Sequence, residues 1–258
     1  MVTKDLLKNR PIASQECIQS HILGMKGEQF MSYKREATKQ IGGAKASEDR
    51  RVVVLDIETV ALEPSDEKGA LDALTGRVVC ISMMFDNGKL ATEVTFADGD
   101  ERHMINGFWN ALRPGDVVVG HNVLDFDIRF LQQRSWILGI QPTRAFDTRR
   151  YYTADVIDTL QLWTNWSGNK KGVTLDALGA ALGCGRKTGE GAKVAQWWAE
   201  GDIDRIKKYC GDDVRLSYRV FCRLTYQEPT QFAGNEAQVF TCSIAEPAVS
   251  TPAEVRIT

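Results

Sequence analysis

The sequence predicts an α/β fold, a mixed sheet of about five strands flanked by helices, with a largely helical second half. Two observations lead to this prediction. Between residues 52 and 120, short β-branched apolar runs alternate with polar segments and turn signals, as strands do. Beyond residue 173 the apolar residues recur at helical spacing instead.

Three strands are predicted at the start of the domain. The run VVVLDIETV (52–60) is the first, and a polar loop over 61–77 leads into the second, RVVCISMMF. The turn signal Asp86-Asn87-Gly88 then predicts a hairpin into KLATEVTF. We therefore expect an antiparallel meander of three strands.

A helix and another strand follow the meander. ERHMINGFWNAL (101–112) has apolar residues at helical spacing, and Pro114-Gly115 ends the helix before the short apolar run DVVVG (116–120). A helical crossover predicts that this strand lies parallel to the first. Ligands of such sheets gather at the carboxyl ends of the strands, so a site is expected just after these two runs.

The remaining elements are predicted to be helices. They are VTLDALGAALG (173–183), AKVAQWWAE (192–200) and the long amphipathic DIDRIKKYCGDDVRLSYRVFCRL (202–224), for which Asp202 is the predicted N-cap. The domain is expected to span 52–226. Residues 1–51 would form an N-terminal extension and linker, and residues 227–258 a C-terminal tail.

Composition excludes several classes of protein. No apolar run approaches the length of a membrane span, and the first residues lack the apolar segment of a signal peptide, so a cytoplasmic protein without membrane contact is expected. The six cysteines lie far apart and include no C-x-x-C pair, which argues against a zinc site and gives no disulfide framework. A net charge of −2 does not indicate nucleic-acid binding, so a nucleic acid would have to be bound by a local group of residues or through metal ions.

Acidic residues mark three of these elements. Asp56 and Glu58 are two positions apart in a predicted strand, so they share a face at a spacing of about 6.6 Å. Asp127 follows the DVVVG strand, and only one of Asp125 and Asp127 could face a site if both lay in a helix. Each acid taken alone has a simpler explanation, such as a solvated strand end or a favourable charge at a helix N-terminus.

The long helix supplies a further acid and a phenol. Tyr209 and Asp213 are four residues apart and share a face, whereas Asp212 is rotated away by about 100°. Alone, Asp213 could be a solvated acid beside a core tyrosine. If the predicted topology brings Asp56, Glu58, Asp127 and Asp213 together, however, their mutual repulsion requires divalent cations.

Three motifs carry a family resemblance. The order D-I-E-T, H-N-x-x-x-F-D-x-x-F-L and Y-x-x-x-D resembles the DEDD superfamily of 3′-to-5′ exonucleases, which has a ribonuclease H-like fold. Tyr209 in the last motif is typical of the DEDDy branch. Over residues 52–226 the chain is most similar to stand-alone exonucleases related to the proofreading domain of family B DNA polymerases.

The resemblance implies a metal-dependent enzyme that releases nucleoside monophosphates from the 3′ end of DNA, expected to be single-stranded, with two Mg²⁺ or Mn²⁺ ions. It implies that Asp56 bridges both ions, that Glu58 and Asp213 hold one and Asp127 the other, and that Tyr209 orients the attacking water. The expected substrate contacts are Thr59, Asn122, Phe126 and Lys187. Lys187 could equally belong to a loop without such a role, and Asp158 could be a supporting acid, a helix cap or a turn residue.

Two other functions fit the same sequence. One is an exoribonuclease similar to ribonuclease D, since nothing in the residues separates DNA from RNA. The other is a non-catalytic nucleic-acid-binding module on the same fold. The acidic set argues against the module, because a surface that only binds phosphate would carry Lys and Arg there.

Overall fold

A five-stranded mixed sheet forms the centre of the domain in the computed structural model, which describes residues 51–66, 68–169 and 171–231. Its strands are β1 (Val52–Ala61), β2 (Gly76–Asp86), β3 (Ala91–Phe96), β4 (Val117–Gly120) and β5 (Val156–Asp158). They lie side by side in the order β3-β2-β1-β4-β5. The predicted α/β class, with helices on both faces of a mixed sheet, is confirmed.

The first three strands form the predicted antiparallel meander. The turn between β2 and β3 is longer than the DNG signal suggests, because β3 begins only at Ala91 and the amide of Asn87 reaches the carbonyl of Leu90. The register of β1 against β2 shifts between Glu58 and Thr59. This irregularity lies beside the first acidic pair, and such irregularities often adjust side-chain direction next to active sites.

The parallel half of the sheet comprises β4 and β5. β4 pairs parallel with β1, as predicted from the helical crossover, and β5 pairs parallel with β4. The sequence stretch ADVIDTLQLW contains β5, which was not located from the sequence. Its three residues are too few to show the alternation by which a strand is recognised.

The helices are α1 (Glu101–Ala111), α2 (Asp127–Leu138), α3 (Thr159–Thr164), α4 (Leu175–Ala181), α5 (Val194–Glu200) and α6 (Ile203–Thr225). Short 3₁₀ turns occur at Gly69–Leu71 and Gly191–Lys193. The predicted N-cap of the long helix is confirmed, since the side chain of Asp202 accepts a hydrogen bond from the amide of Arg205. No helix in the described ranges is long and apolar enough to cross a membrane.

The two faces of β1 pack against different helices. Val53, Leu55 and Ile57 belong to a core cluster formed with residues of α1 and α2. Val54 belongs to a second cluster, which includes Val214 of α6. Because side chains alternate along a strand, this packing directs the even-numbered residues of β1 toward the α6 side of the sheet.

The terminal regions lie largely outside the described residues. This applies to the predicted extension over 1–51, of which only Arg51 is described, and to 232–258 of the predicted tail. The start of the tail contacts the meander, because the carbonyl of Gln231 accepts a hydrogen bond of 2.9 Å from the amide of Ala91.

Candidate active site

Asp56 and Glu58 lie on the same side of β1, as the strand period predicts. Their carboxylate oxygens and the Sγ atom of Cys210 on α6 are all within 4.8 Å of one another. Asp56 is partly exposed and Glu58 is buried. The two acids therefore meet α6 at the sheet face that this helix covers.

Asp127 joins the pair through the backbone of β1. It is the first residue of α2 and is buried, and its Oδ1 atom accepts a hydrogen bond of 3.0 Å from the amide of Ile57. The pairing of β4 with β1 ends at Val54, which leaves the Ile57 amide available to this side chain. Asp125 lies before the helix and is exposed. Asp127 is thus the acid of the two that reaches Asp56 and Glu58.

Tyr209 and Asp213 lie on one face of α6 and are both buried. The ring of Tyr209 packs edge-on against Trp197, with 5.6 Å between the ring centroids. Its hydroxyl and the Oδ1 atom of Asp213 are buried without a hydrogen bond of good geometry. Asp212 faces elsewhere, accepting hydrogen bonds from Lys208 and Arg215.

Lys187 supplies a positive charge to this cluster. Its Nζ atom lies 2.5 Å from Oδ2 of Asp213 and 5.0 Å from the ring centroid of Tyr209. The glycine-rich segment that carries it is anchored, since the amide of Lys187 donates to Oδ1 of Asp176 at 3.0 Å. At Gly189 a Cβ atom would lie 3.1 Å from Cδ2 of Tyr209, so a residue without a side chain permits this close approach. Lys187 is therefore held in the site by packing and hydrogen bonds.

Burial and mutual repulsion disturb the titration of the acids. Burial and the charge of Asp213 raise the pKa of Asp56 from 3.8 to about 7. Burial and the charge of Asp56 raise the pKa values of Glu58 and Asp127 well above their ordinary range. Burial also raises the pKa of Asp213, and outweighs the opposing effect of Lys187.

The hydroxyl of Tyr209 stays protonated at neutral pH, because burial raises its pKa further above 10. The pKa of Lys187 is also raised: burial opposes its charge, but the attraction of Asp213 prevails. The site therefore combines a neutral phenol, a charged lysine and carboxylates that repel one another.

The donor set fits divalent cations. Hard carboxylate oxygens are the ligands that Mg²⁺ and Mn²⁺ prefer, and an unpartnered buried oxygen such as Oδ1 of Asp213 calls for a cation or a donor. The charge of Lys187 opposes the rise in the pKa values of Asp56, Glu58 and Asp213. The carboxylates that converge are Asp56, Glu58, Asp127 and Asp213. One lysine against four acids leaves negative charge that metal ions would balance.

Asp158 and His121 support the loop between β4 and α2. Asp158 caps α3 through the amide of Leu160, and its carboxylate also accepts hydrogen bonds from the amides of Asn122 (2.9 Å) and Leu124 (3.3 Å). His121 contacts the hydroxyl of Thr159 at 3.0 Å. Asp158 is thus the helix cap that the sequence offered as one alternative, and it also holds the loop that leads to Asp127, while its role as a supporting acid of a metal site stays a prediction.

The other predicted substrate contacts lie on β1 and on the segment between β4 and α2. Asn122 adopts a left-handed backbone (φ 62°), which asparagine tolerates better than most residues. Phe126 is the N-cap residue of α2, and its ring lies 5.6 Å from that of Phe130. The hydroxyl of Thr59 donates to the carbonyl of Ala70 at 2.6 Å. Their contacts with a substrate stay predictions.

Cys210 is the site residue that sequence reasoning missed. Its Sγ atom is a hydrogen-bond donor to Asp56, at 3.3 Å from the carbonyl oxygen and 3.4 Å from Oδ2. A signal was present, because Cys210 precedes Asp213 by three residues and so shares its helix face.

The metal-free protein is expected to lose stability as the pH rises from about 4 to about 7. The folded chain keeps the proton of Asp56 up to a pKa of about 7, whereas 3.8 is its ordinary value, so protonation favours the folded state and deprotonation removes that contribution. Asp56→Asn has no proton to lose there, and its free energy of unfolding should fall less over this range. Urea titrations in chelator would measure both, and equal pH slopes would contradict the expectation.

A solved structure shares this architecture. The family B DNA polymerase from the hyperthermophilic archaeon Pyrobaculum calidifontis matches with a TM-score of 0.54 and 25% sequence identity. The match covers 67% of this chain and 24% of the polymerase, so the matched part of the chain spans about a quarter of that protein's length. This likeness confirms the ribonuclease H-like fold expected from the motifs.

The family comparison agrees with the structural one. No curated protein sequence matches the chain at a significant level. Residues 71–239 match a family described as predicted 3′-5′ exonuclease related to the exonuclease domain of PolB. The match begins after β1, so the convergence of Asp56 and Glu58 with the other acids is an independent observation. The chain belongs to this family of predicted 3′-5′ exonucleases, and is an enzyme of the PolB exonuclease type.

Proposed function

We propose that the protein hydrolyses the terminal phosphodiester bond at the 3′ end of single-stranded DNA and releases nucleoside monophosphates with the help of two Mg²⁺ or Mn²⁺ ions. The observation that supports this most directly is the convergence of four carboxylates from β1, α2 and α6 beside a buried tyrosine. Exonuclease domains of this kind depend on metal ions. The choice of ion and of DNA is part of the proposal.

The acids would divide the binding of the two ions among them. Asp56 would bind both, Glu58 and Asp213 would hold one, and Asp127 the other. When bound, the ions supply positive charge to the phosphate and the leaving 3′ oxygen and make water a better nucleophile. The hydrogen bond from the Ile57 amide fixes one oxygen of Asp127, and this carboxylate would then act as a metal ligand.

Tyr209 would position the attacking water. Its hydroxyl is buried without a well-formed hydrogen bond, so it can donate to or accept from a water that arrives with the substrate. A phenol whose pKa is raised above 10 is a poor base at neutral pH. Tyr209 is therefore an orienting group, and the proton of the water must leave by another route.

Lys187 and the other predicted contacts would hold the substrate. Lys187 forms an ion pair with Asp213, and a cation bound there would weaken that pair and release the ammonium group toward a phosphate. Asn122 and Phe126 lie on the segment that leads to Asp127, where they could contact the terminal nucleotide. Thr59 follows Glu58 near the end of β1, and it would contact the substrate from the side of the strand opposite to Glu58.

The test is an assay with 5′-labelled strands. Purified protein with Mg²⁺ or Mn²⁺ is expected to shorten labelled single-stranded DNA stepwise, giving a ladder, and excess chelator should abolish the reaction. A labelled mononucleotide as the first product would reveal attack from the 5′ end and overturn the proposal, as would full activity in chelator.

Duplex DNA and RNA of the same sequence complete the experiment. Faster degradation of the RNA strand would replace the DNA proposal with an exoribonuclease, and preference for the duplex would overturn the single-strand assignment. If the protein binds the strands but degrades none of them with either metal, the chain is a binding module on an exonuclease fold.

A further inference from the structure

The thiol of Cys210 lies within the proposed catalytic cluster. The residue is completely buried, and its Sγ atom is 3.4 Å from Oδ2 of Asp56. It follows Tyr209 directly on α6. A proposed metal-binding carboxylate thus has a sulfur atom as its immediate neighbour, and the proposed Mg²⁺ or Mn²⁺ chemistry makes no use of that sulfur.

The spacing of these atoms fits a zinc ion. Tetrahedral Zn²⁺ has bonds of about 2.3 Å to sulfur and about 2.0 Å to carboxylate oxygen, which places the two ligand atoms about 3.5 Å apart. The separation of Sγ of Cys210 and Oδ2 of Asp56 is 3.4 Å. Glu58 offers a third ligand atom within 4.8 Å of both, so a small side-chain rotation would complete three ligands.

A second observation also points to a cation here. Asp213 is three residues from Cys210 on the same helix face, and its Oδ1 atom is buried without a hydrogen-bond partner. Its charge acts on Asp56, as the raised pKa of that acid shows. Asp213 is therefore a candidate fourth ligand, while the partial exposure of Asp56 offers a way in for an ion.

We propose that Asp56, Glu58 and Cys210 form a site for Zn²⁺ or Cd²⁺ that overlaps the carboxylate site for Mg²⁺ or Mn²⁺ and keeps the enzyme inactive when filled. Thiolate sulfur selects these softer ions, whereas Mg²⁺ binds oxygen. On binding, the sulfur–metal bond replaces the S–H bond and the proton passes to solvent, with no change of oxidation state. The two loadings exclude each other because the Zn²⁺ ion would take both Asp56 and Glu58, and so would occupy the place of the Mg²⁺ or Mn²⁺ ion that these two acids share.

The part of this proposal that concerns inhibition rests on the proposed nuclease activity, but the site itself can be tested without it. Co²⁺ occupies zinc sites and gives a near-ultraviolet charge-transfer band when a thiolate is among its ligands. The full-length, metal-free protein titrated with Co²⁺ is expected to gain this band, and added Zn²⁺ should remove it. Cys210→Ser should not gain the band.

Cys222→Ser is the matched control. Cys222 is also a buried cysteine of α6, but it belongs to the core cluster around Val54 and Tyr218. This variant should keep the band. Absence of the band from the parent protein, or its persistence in Cys210→Ser, would overturn the proposed site.

Inhibition supplies the second readout. In the presence of Mn²⁺, Zn²⁺ should inhibit the parent, and the inhibitory concentration should rise about 10- to 100-fold in Cys210→Ser, each variant being compared with its own uninhibited rate. Equal sensitivity of the two would overturn the overlap of the sites. If the parent degrades no strand with any metal, the nuclease proposal fails while the Co²⁺ band still decides the metal site.

Discussion

Asp127→Asn is expected to lower kcat by about 1,000-fold or more with Mg²⁺ or Mn²⁺, because an amide cannot supply the negative charge that holds a catalytic cation. The substitution keeps an oxygen that can accept the hydrogen bond from the Ile57 amide, so the start of α2 should be retained. Loss of a buried carboxylate whose pKa is raised by burial should leave the metal-free protein at least as stable. Single-turnover rates on a 5′-labelled strand and thermal unfolding would measure the two effects.

Asp125→Asn is the matched control for this experiment. It removes the same charge two residues earlier, from an exposed side chain that precedes the helix. Activity close to that of the parent is expected. If Asp125→Asn abolished turnover and Asp127→Asn did not, the second acidic motif would have to be assigned to Asp125, against the contact between Asp127 and β1.

Tyr209→Phe is expected to lower kcat by about 10- to 1,000-fold while binding of metal and of DNA is retained. The ring keeps its packing against Trp197, and only the hydroxyl that would orient water is lost. Because that hydroxyl is buried without a well-formed hydrogen bond, its removal should leave the melting temperature unchanged or raise it. An unchanged kcat would mean that Tyr209 only packs against its neighbours and does not orient the water.

The dependence of kcat on pH gives a further check on this tyrosine. A neutral phenol beside the water provides no group that titrates near 6.5, where an imidazole would. The plot of kcat against pH for the parent enzyme should therefore show no limb at a pH of about 6.5 of the kind that an imidazole beside the water would produce. A limb at a pH of about 6.5 that is present in the parent and abolished in Tyr209→Phe would mean that Tyr209 itself titrates there, and would contradict its role as an untitrated orienting group.

Tyr218→Phe is the matched control, with the opposite expected result. This buried tyrosine of α6 donates to Oδ2 of Asp86 at 2.5 Å and accepts from the amide of Thr230 at 2.9 Å. Loss of its hydroxyl leaves the Thr230 amide without this acceptor and removes one of the two hydrogen bonds to Oδ2 of Asp86, at a cost of about 1–3 kcal/mol in the free energy of unfolding. Its kcat should stay near that of the parent, because the hydroxyl that is removed binds Asp86 and Thr230, and Tyr218 belongs to the core cluster around Val54, away from the proposed catalytic acids.

Local periodicity was enough to predict much of the site. Residues two apart in a strand share a face, which placed Asp56 together with Glu58, and residues four apart in a helix share a face, which placed Tyr209 with Asp213. The hairpin and the N-cap at Asp202 were also predictable. Each of these depends on geometry that repeats within a few residues, so a short stretch of sequence carries it.

The sequence by itself thus determined the order of the strands in the meander, the acidic motifs and the resemblance to an exonuclease family. Only the tertiary structure decided three contacts. Asp127, and not Asp125, is the acid that reaches β1 beside Asp56. Lys187 pairs with Asp213, and the thiol of Cys210 contacts the carboxylate of Asp56, which is 154 residues away in the sequence. The physical reason is that these contacts depend on how β1, α2 and α6 pack together. The periodic spacing of residues along the chain does not give the distance between two elements, because that distance is set by the side chains buried between them.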